Sequence, residues 1–192
     1  MKILDIINKL LFYGFFALFL VFLFFDTEYG IVTGYAIGSF IVVWICSIIF
    51  KAGNINKNLL ILISISFWLN IIGEFIFYYT KIIPYYDKSL HILVPIFLTI
   101  IVLDYFKSNS IKTSKSIIFF IILGMLAFWE IYEYLMFIFF SIPLQGVYIN
   151  KIEVVSRIDD TMIDLIFGVV GTLGYLIFQK EFPKIIHSKN KK

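Results

Sequence analysis

Six apolar segments, each close to the length of a membrane-spanning helix, dominate the 192-residue chain. A spanning helix needs about 20 mostly apolar residues, and its backbone polar groups must bond within the helix because lipid offers them no partner. The segments that join these runs are too short for a soluble domain. We therefore predict one all-α polytopic membrane domain over residues 1–192, built as a bundle of six transmembrane helices. The predicted helices lie near residues 8–25, 30–50, 59–79, 89–106, 117–140 and 158–178.

Composition supports this class of protein and excludes others. Hydrophobic residues make up 61% of the chain and charged residues 15%, which is far from the balance of an ordinary soluble domain. The net charge of +3 comes mostly from lysines at the C-terminal end, so it indicates membrane topology and not a nucleic-acid partner. The single cysteine, Cys46, excludes a disulfide framework and a cysteine-based zinc ribbon.

The distribution of lysine and arginine predicts the orientation of the bundle. With the N-terminus inside, the inner segments hold twelve of the 16 basic residues and the outer loops hold four. Cytoplasmic loops carry the excess of basic residues in such proteins. Both termini are therefore predicted to be cytoplasmic, in a multi-pass protein of the cell membrane.

Acidic residues concentrate in the outer half of this predicted bundle. Alternating helix directions and a rise of about 1.5 Å per residue place seven carboxylates and one histidine there. Several pairs are three or four residues apart, a spacing that puts two side chains on one face of a helix. The carboxylates are Glu74, Asp87, Glu130, Glu133, Asp159, Asp160 and Asp164, and the histidine is His91.

The negative charge of this region exceeds the positive charge available to balance it. A carboxylate deep in a membrane helix costs about 2.5 to 3.5 kcal/mol, and the same region offers only Lys88, Arg157 and a protonated His91 as cations. Protons or bound cations must supply the difference. Oxygen ligands with one imidazole suit Mg²⁺, Mn²⁺ or Ca²⁺, with zinc or iron as further possibilities. The predicted metal ligands are Glu74, Asp87, His91, Glu130, Glu133, Asp160 and Asp164.

Structural roles offer an alternative interpretation of the same residues. Asp87, Asp159 and Asp160 stand where aspartate caps a helix, and the sequence from Ser156 to Asp159 has the form of a capping box. His91 would then be an interface histidine bonded to Asp87. The remaining acids would form interhelical hydrogen bonds or salt bridges.

These motifs carry a resemblance to a known family. The sequence resembles the YjdF-type inner-membrane proteins, a family of unknown function related to the VanZ-like proteins. The similarity implies a multi-pass membrane fold with a shared polar site. The matching elements are Tyr86-Asp87-Lys88-x-x-His91, Glu130-x-x-Glu133-Tyr134 and Asp160-Thr161-x-x-Asp164.

Three functional hypotheses follow from the predicted site. The first is a metal-dependent enzyme that acts on lipid or lipid-linked head groups at the outer leaflet, on the extracytoplasmic side, with anionic groups bound by Lys88 and Arg157. The second is a proton- or cation-coupled transporter that uses the same acids. The third is a structural or interaction protein whose buried charges fix the register of the helices. The residues predicted to be catalytic are His91, Glu130, Glu133 and Asp164.

Overall fold

Helices form nearly all of the structure, a computed structural model that describes residues 2–25, 31–73, 86–141, 145–149 and 152–179. Each of the six apolar segments contributes a helix, so the predicted helical class is confirmed. The observed helices start and end within a few residues of the predicted bounds, except that α1 begins earlier and the end predicted for α3 lies outside the described residues. They are α1 (Lys2–Phe25), α2 (Ile31–Ala52), α3 (Leu60–Ile72), α4 (Tyr86–Ser108), α5 (Lys115–Phe140) and α6 (Arg157–Phe178).

Three of these helices, among the residues that can be described, are long and apolar enough to cross a membrane. They are α4, α5 and α6, and shorter apolar helical stretches cover Gly38–Ala52 and Lys57–Ile72. Large apolar side chains such as Phe128 and Phe139 point outward from α5. An exposed apolar surface of this kind suits contact with lipid. Six membrane crossings and cytoplasmic termini remain predictions.

The helices pack as two groups of three, each around its own apolar core. Phe15, Val43 and Ile63 belong to the core of α1, α2 and α3, to which Ile101 of α4 also contributes. Ile122 and Leu176 belong to the core shared by α4, α5 and α6. Contacts between α3 and α4 join the two groups. The second group carries the predicted site residues that the structure describes.

Close packing of α4 against α6 rests on Gly171. A side-chain carbon at this position would collide with the backbone carbonyl of Ile92 on α4. Small residues allow helix backbones to approach in this way inside membranes. The two helices run in the same direction, since Lys88 meets Asp164 near their starts while Val102 and Leu176 share a core near their ends. Their first turns therefore lie at one end of the bundle.

A small β-hairpin between α5 and α6 was not predicted from the sequence, which indicated only a loop there. Strand β1 (Val147–Ile149) pairs antiparallel with β2 (Ile152–Val155). The α5 helix ends at Phe140, and its C-cap, Ser141, adopts the left-handed conformation with φ of 55°. Branched residues in both strands favour this pairing. The hairpin lies at the same end of the bundle as the first turns of α4 and α6.

Candidate cation-binding site

A cluster of ionisable side chains fills the space between α4, α5 and α6 at the hairpin end. The helical spacing places Asp87 and His91 on one face of α4, Glu130 and Glu133 on one face of α5, and Asp160 and Asp164 on one face of α6. The structure brings these six predicted site residues together, and four of them are buried. The buried four are Glu130, Glu133, Asp160 and Asp164.

The ammonium group of Lys88 lies at the centre of three carboxylates. Its Nζ is 2.8 Å from Asp87 Oδ2, 2.6 Å from Asp160 Oδ1 and 2.5 Å from Asp164 Oδ1. A lysine ammonium has three N–H donors, so each donor has one acceptor here. Lys88 thus connects α4 to α6 through two interhelical ion pairs.

The other oxygens of two of these carboxylates face His91. Its Nε2 is 3.4 Å from Asp87 Oδ1 and 3.6 Å from Asp164 Oδ2. Two ligands held about 2.1 Å from one metal ion in tetrahedral geometry are about 3.4 Å apart. One ligand atom from each of these three residues lies within 4.8 Å of the others. Asp87, His91 and Asp164 can therefore hold a metal ion after small adjustments.

The two glutamates of α5 complete the inner wall of the cluster. Glu133 is buried and lies close enough to Glu130, Asp87 and Asp164 for electrostatic interaction with each. Glu130 interacts in the same way with His91. Both glutamates therefore add negative charge to the surroundings of the potential ligand group.

Gln145 belongs to this site although the sequence did not indicate it. Its side chain is 4% exposed, and its amide nitrogen donates to the Glu130 backbone oxygen at 3.0 Å and to Thr161 Oγ1 at 2.9 Å. The same nitrogen lies 3.4 Å from Glu130 Oε2. This amide therefore links α5 to α6. A lone glutamine in a short connection has no spacing pattern that would have singled it out.

The next residue, Gly146, connects the hairpin to the acidic cluster through its backbone. Its N–H donates to Asp160 Oδ2 at 2.8 Å, while the other oxygen of that carboxylate binds Lys88. Gly146 has φ of 85°, a left-handed conformation that favours glycine. The backbone immediately before strand β1 is thus hydrogen-bonded to the site.

Charge within the described part of this cluster does not balance. The five carboxylates of Asp87, Glu130, Glu133, Asp160 and Asp164 face one lysine and one histidine. Full ionisation would leave a net charge of about −3 even with a protonated imidazole, and buried charges need partners. The charges of these residues therefore support the prediction that protons, cations or both neutralise the cluster.

Arg157 and Glu74 were predicted for this site as well, and of the two the structure describes only Arg157, which it does not join to the cluster. Arg157 Nε is 3.9 Å from Glu153 Oε1, and its guanidinium lies 3.8 Å from the centre of the Phe137 ring. This places Arg157 at the rim and not beside Lys88. Glu74 lies outside the described residues.

Asp159 has the capping role that the sequence offered as the structural alternative. Ser156 is the N-cap of α6 and accepts from the Asp159 backbone N–H at 3.2 Å. The Ser156 hydroxyl donates to Asp159 Oδ2 at 2.6 Å. Asp160, by contrast, turns inward to Lys88, so adjacent aspartates serve different purposes.

Apolar helices around a polar cluster define the class of this chain as an integral membrane protein embedded in a lipid bilayer. The family model described as "Predicted membrane protein (DUF2238)" matches residues 7–182, and the chain belongs to that family. No curated protein and no solved structure matches the chain.

Proposed function

We propose that this protein is a cation-dependent membrane enzyme that acts on lipid or lipid-linked head groups. The observation that carries the proposal is the convergence of Asp87, His91 and Asp164, whose ligand atoms on α4 and α6 lie within 4.8 Å of one another. Two carboxylates and one imidazole suit Mg²⁺, Mn²⁺, Ca²⁺ or Zn²⁺. The sequence elements that resemble the YjdF-type proteins contain these same residues.

Hydrolysis of a phosphate ester is the reaction that this site suits best. A bound divalent cation would polarise a phosphoryl oxygen and neutralise charge that develops on it. The oxygen of a water molecule would attack phosphorus while the P–O bond to the leaving alcohol breaks. Glu133, a buried carboxylate that interacts electrostatically with Asp87 and Asp164, would accept the proton of that water. The same proton would then pass to the leaving alkoxide.

Turnover of a lipid phosphate by the purified full-length protein tests this function. We expect phosphate release from phosphatidic acid or a polyprenyl phosphate in mixed micelles that depends on added Mn²⁺ or Mg²⁺. Chelation should reduce the rate to background, and return of the cation should restore it. A protein that binds cations but releases phosphate from neither substrate would exclude the hydrolytic proposal.

The proposed site faces the extracytoplasmic side, because the basic residues favour cytoplasmic termini. Two exposed positions test this in a Cys46→Ser background: Glu153→Cys in the hairpin and Lys112→Cys between α4 and α5. We expect a membrane-impermeant maleimide to label the Glu153→Cys variant in intact cells. The Lys112→Cys variant should react only after the membrane is permeabilised. The reverse pattern would place the site in the cytoplasm.

Proton- or cation-coupled transport is the second candidate function. The excess of buried carboxylates favours it, because Glu130 and Glu133 can bind and release protons within the bundle. Uptake of ⁵⁴Mn²⁺ or a pH change inside proteoliposomes would distinguish transport from hydrolysis. Loss of that signal in Glu133→Gln would assign it to this cluster.

A further inference from the structure

We propose that Lys88 is a positioning residue that orients the ligands of the cation site. This proposal rests on the cation site described under the proposed function. It replaces the anion-binding role that the sequence suggested for Lys88 with a role inside the protein. The observations that carry it are the number of donors that Lys88 uses and the particular oxygens that receive them.

All three ammonium donors of Lys88 are directed at carboxylates of the protein. The acceptors belong to Asp87, Asp160 and Asp164, at 2.5 to 2.8 Å. The lysine side chain is also only 12% exposed. An anionic substrate would have to displace one of these carboxylates to bind the ammonium group. The geometry therefore disfavours direct substrate binding by Lys88.

The division of oxygens between Lys88 and His91 indicates what the lysine does instead. Asp87 gives Oδ2 to Lys88 and directs Oδ1 at His91. Asp164 gives Oδ1 to Lys88 and directs Oδ2 at His91. One ammonium group thus sets the rotation of both carboxylates. The two oxygens that Lys88 does not bind, Asp87 Oδ1 and Asp164 Oδ2, are the ones that face His91 Nε2.

Asp160 holds Lys88 in place without joining the ligand group. One of its oxygens accepts from Lys88 and the other from the Gly146 backbone N–H. Both oxygens are therefore already engaged by the protein. The chain of contacts runs from the hairpin through Asp160 to Lys88, and from Lys88 to the two ligand carboxylates. Outer partners of this kind fix metal ligands, and their removal typically lowers metal affinity about 10- to 100-fold.

A role of Lys88 in charge balance alone predicts the opposite change in metal affinity when the lysine is removed. If Lys88 only neutralised the acids, its removal would leave a more negative cluster and strengthen binding of a divalent cation. If Lys88 orients the ligands, the same removal weakens binding because Asp87 and Asp164 are free to rotate. The sign of the change in affinity therefore separates the two roles.

Mn²⁺ binding by Lys88→Met and Lys88→Arg tests the proposal on purified full-length protein in detergent. Electron paramagnetic resonance reports free Mn²⁺ and so yields the dissociation constant. We expect both variants to bind about 10- to 100-fold more weakly than the wild type. Lys9→Met is the control, since Lys9 pairs with Asp5 on an exposed face of α1 and should leave the affinity unchanged.

Each of the two Lys88 variants tests the positioning role by itself, so the experiment still gives an answer if one of them does not fold. Lys88→Arg retains the charge but changes the shape and reach of the donors, so charge balance alone predicts unchanged affinity. Tighter binding by Lys88→Met or unchanged binding by Lys88→Arg would overturn the positioning role. If the wild type binds no Mn²⁺, the cation site of the proposed function fails instead.

Discussion

Replacement of Asp164 by asparagine is expected to abolish cation binding while the helices remain folded. Asparagine has nearly the same shape, but it removes the charge that faces His91 at 3.6 Å. Lys88 would keep Asp87 and Asp160 as partners, so its buried charge would still be compensated. Loss of a direct ligand should cost more than the roughly 100-fold upper value typical of an outer partner. Mn²⁺ titration followed by electron paramagnetic resonance measures this loss.

Glu153→Gln supplies the matched control for that experiment. It also removes one carboxylate, but Glu153 lies in the hairpin, is exposed and contacts Arg157 at the rim. We expect wild-type affinity in this variant and an unchanged circular dichroism spectrum in both. Wild-type Mn²⁺ affinity in the Asp164→Asn protein would contradict the assignment of Asp164 as a ligand.

Alanine at Gly171 is expected to destabilise the protein strongly. The new methyl group would collide with the backbone carbonyl of Ile92, and a backbone atom cannot move aside as a flexible side chain can. Overpacking in a tight interface typically costs about 1 to 3 kcal/mol. Because α4 and α6 carry Asp87 and Asp164, forcing them apart should also weaken Mn²⁺ binding. Thermal unfolding in detergent, followed by circular dichroism, measures the loss of stability.

Gly174→Ala is the matched control, three residues further along the same helix. A side-chain carbon at Gly174 would meet nothing within 4 Å. Alanine favours a helix over glycine by about 1 kcal/mol, so this variant should be as stable as the wild type or slightly more stable. Equal unfolding temperatures for the two alanine variants would show that close approach at Gly171 is not required.

The helices and the pairs of site residues on one helix face could be predicted, because both follow a regular pattern in the sequence. The apolar runs indicated the helices because lipid selects strongly for length and hydrophobicity. The pairs Asp87 with His91, and Asp160 with Asp164, are four residues apart, and the structure brings both pairs together. Their convergence could be predicted because membrane helices alternate in direction, which converts sequence position into depth.

Features that depend on the packing between elements were not predictable. Lys88 is next to Asp87 in sequence, but its contacts with α6 depend on how closely α4 and α6 pack. Gln145, which lies between α5 and α6, enters the cluster through hydrogen bonds to Glu130 and Thr161. The hairpin was not predicted either, and nothing in residues 147–155 indicated attachment to Asp160.

The uneven exposure of the acidic cluster bears on the kinetics of any ion that it binds. The Asp87 side chain is 33% exposed, while those of Asp164 and Asp160 are 3% and 9% exposed. An incoming ion would meet Asp87 first and give up its water molecules there before it reaches Asp164. Release would follow the same route in reverse, with Asp87 the last group to let go. The residence time of the ion then depends both on how tightly the buried ligands hold it and on exchange with water at the outermost ligand.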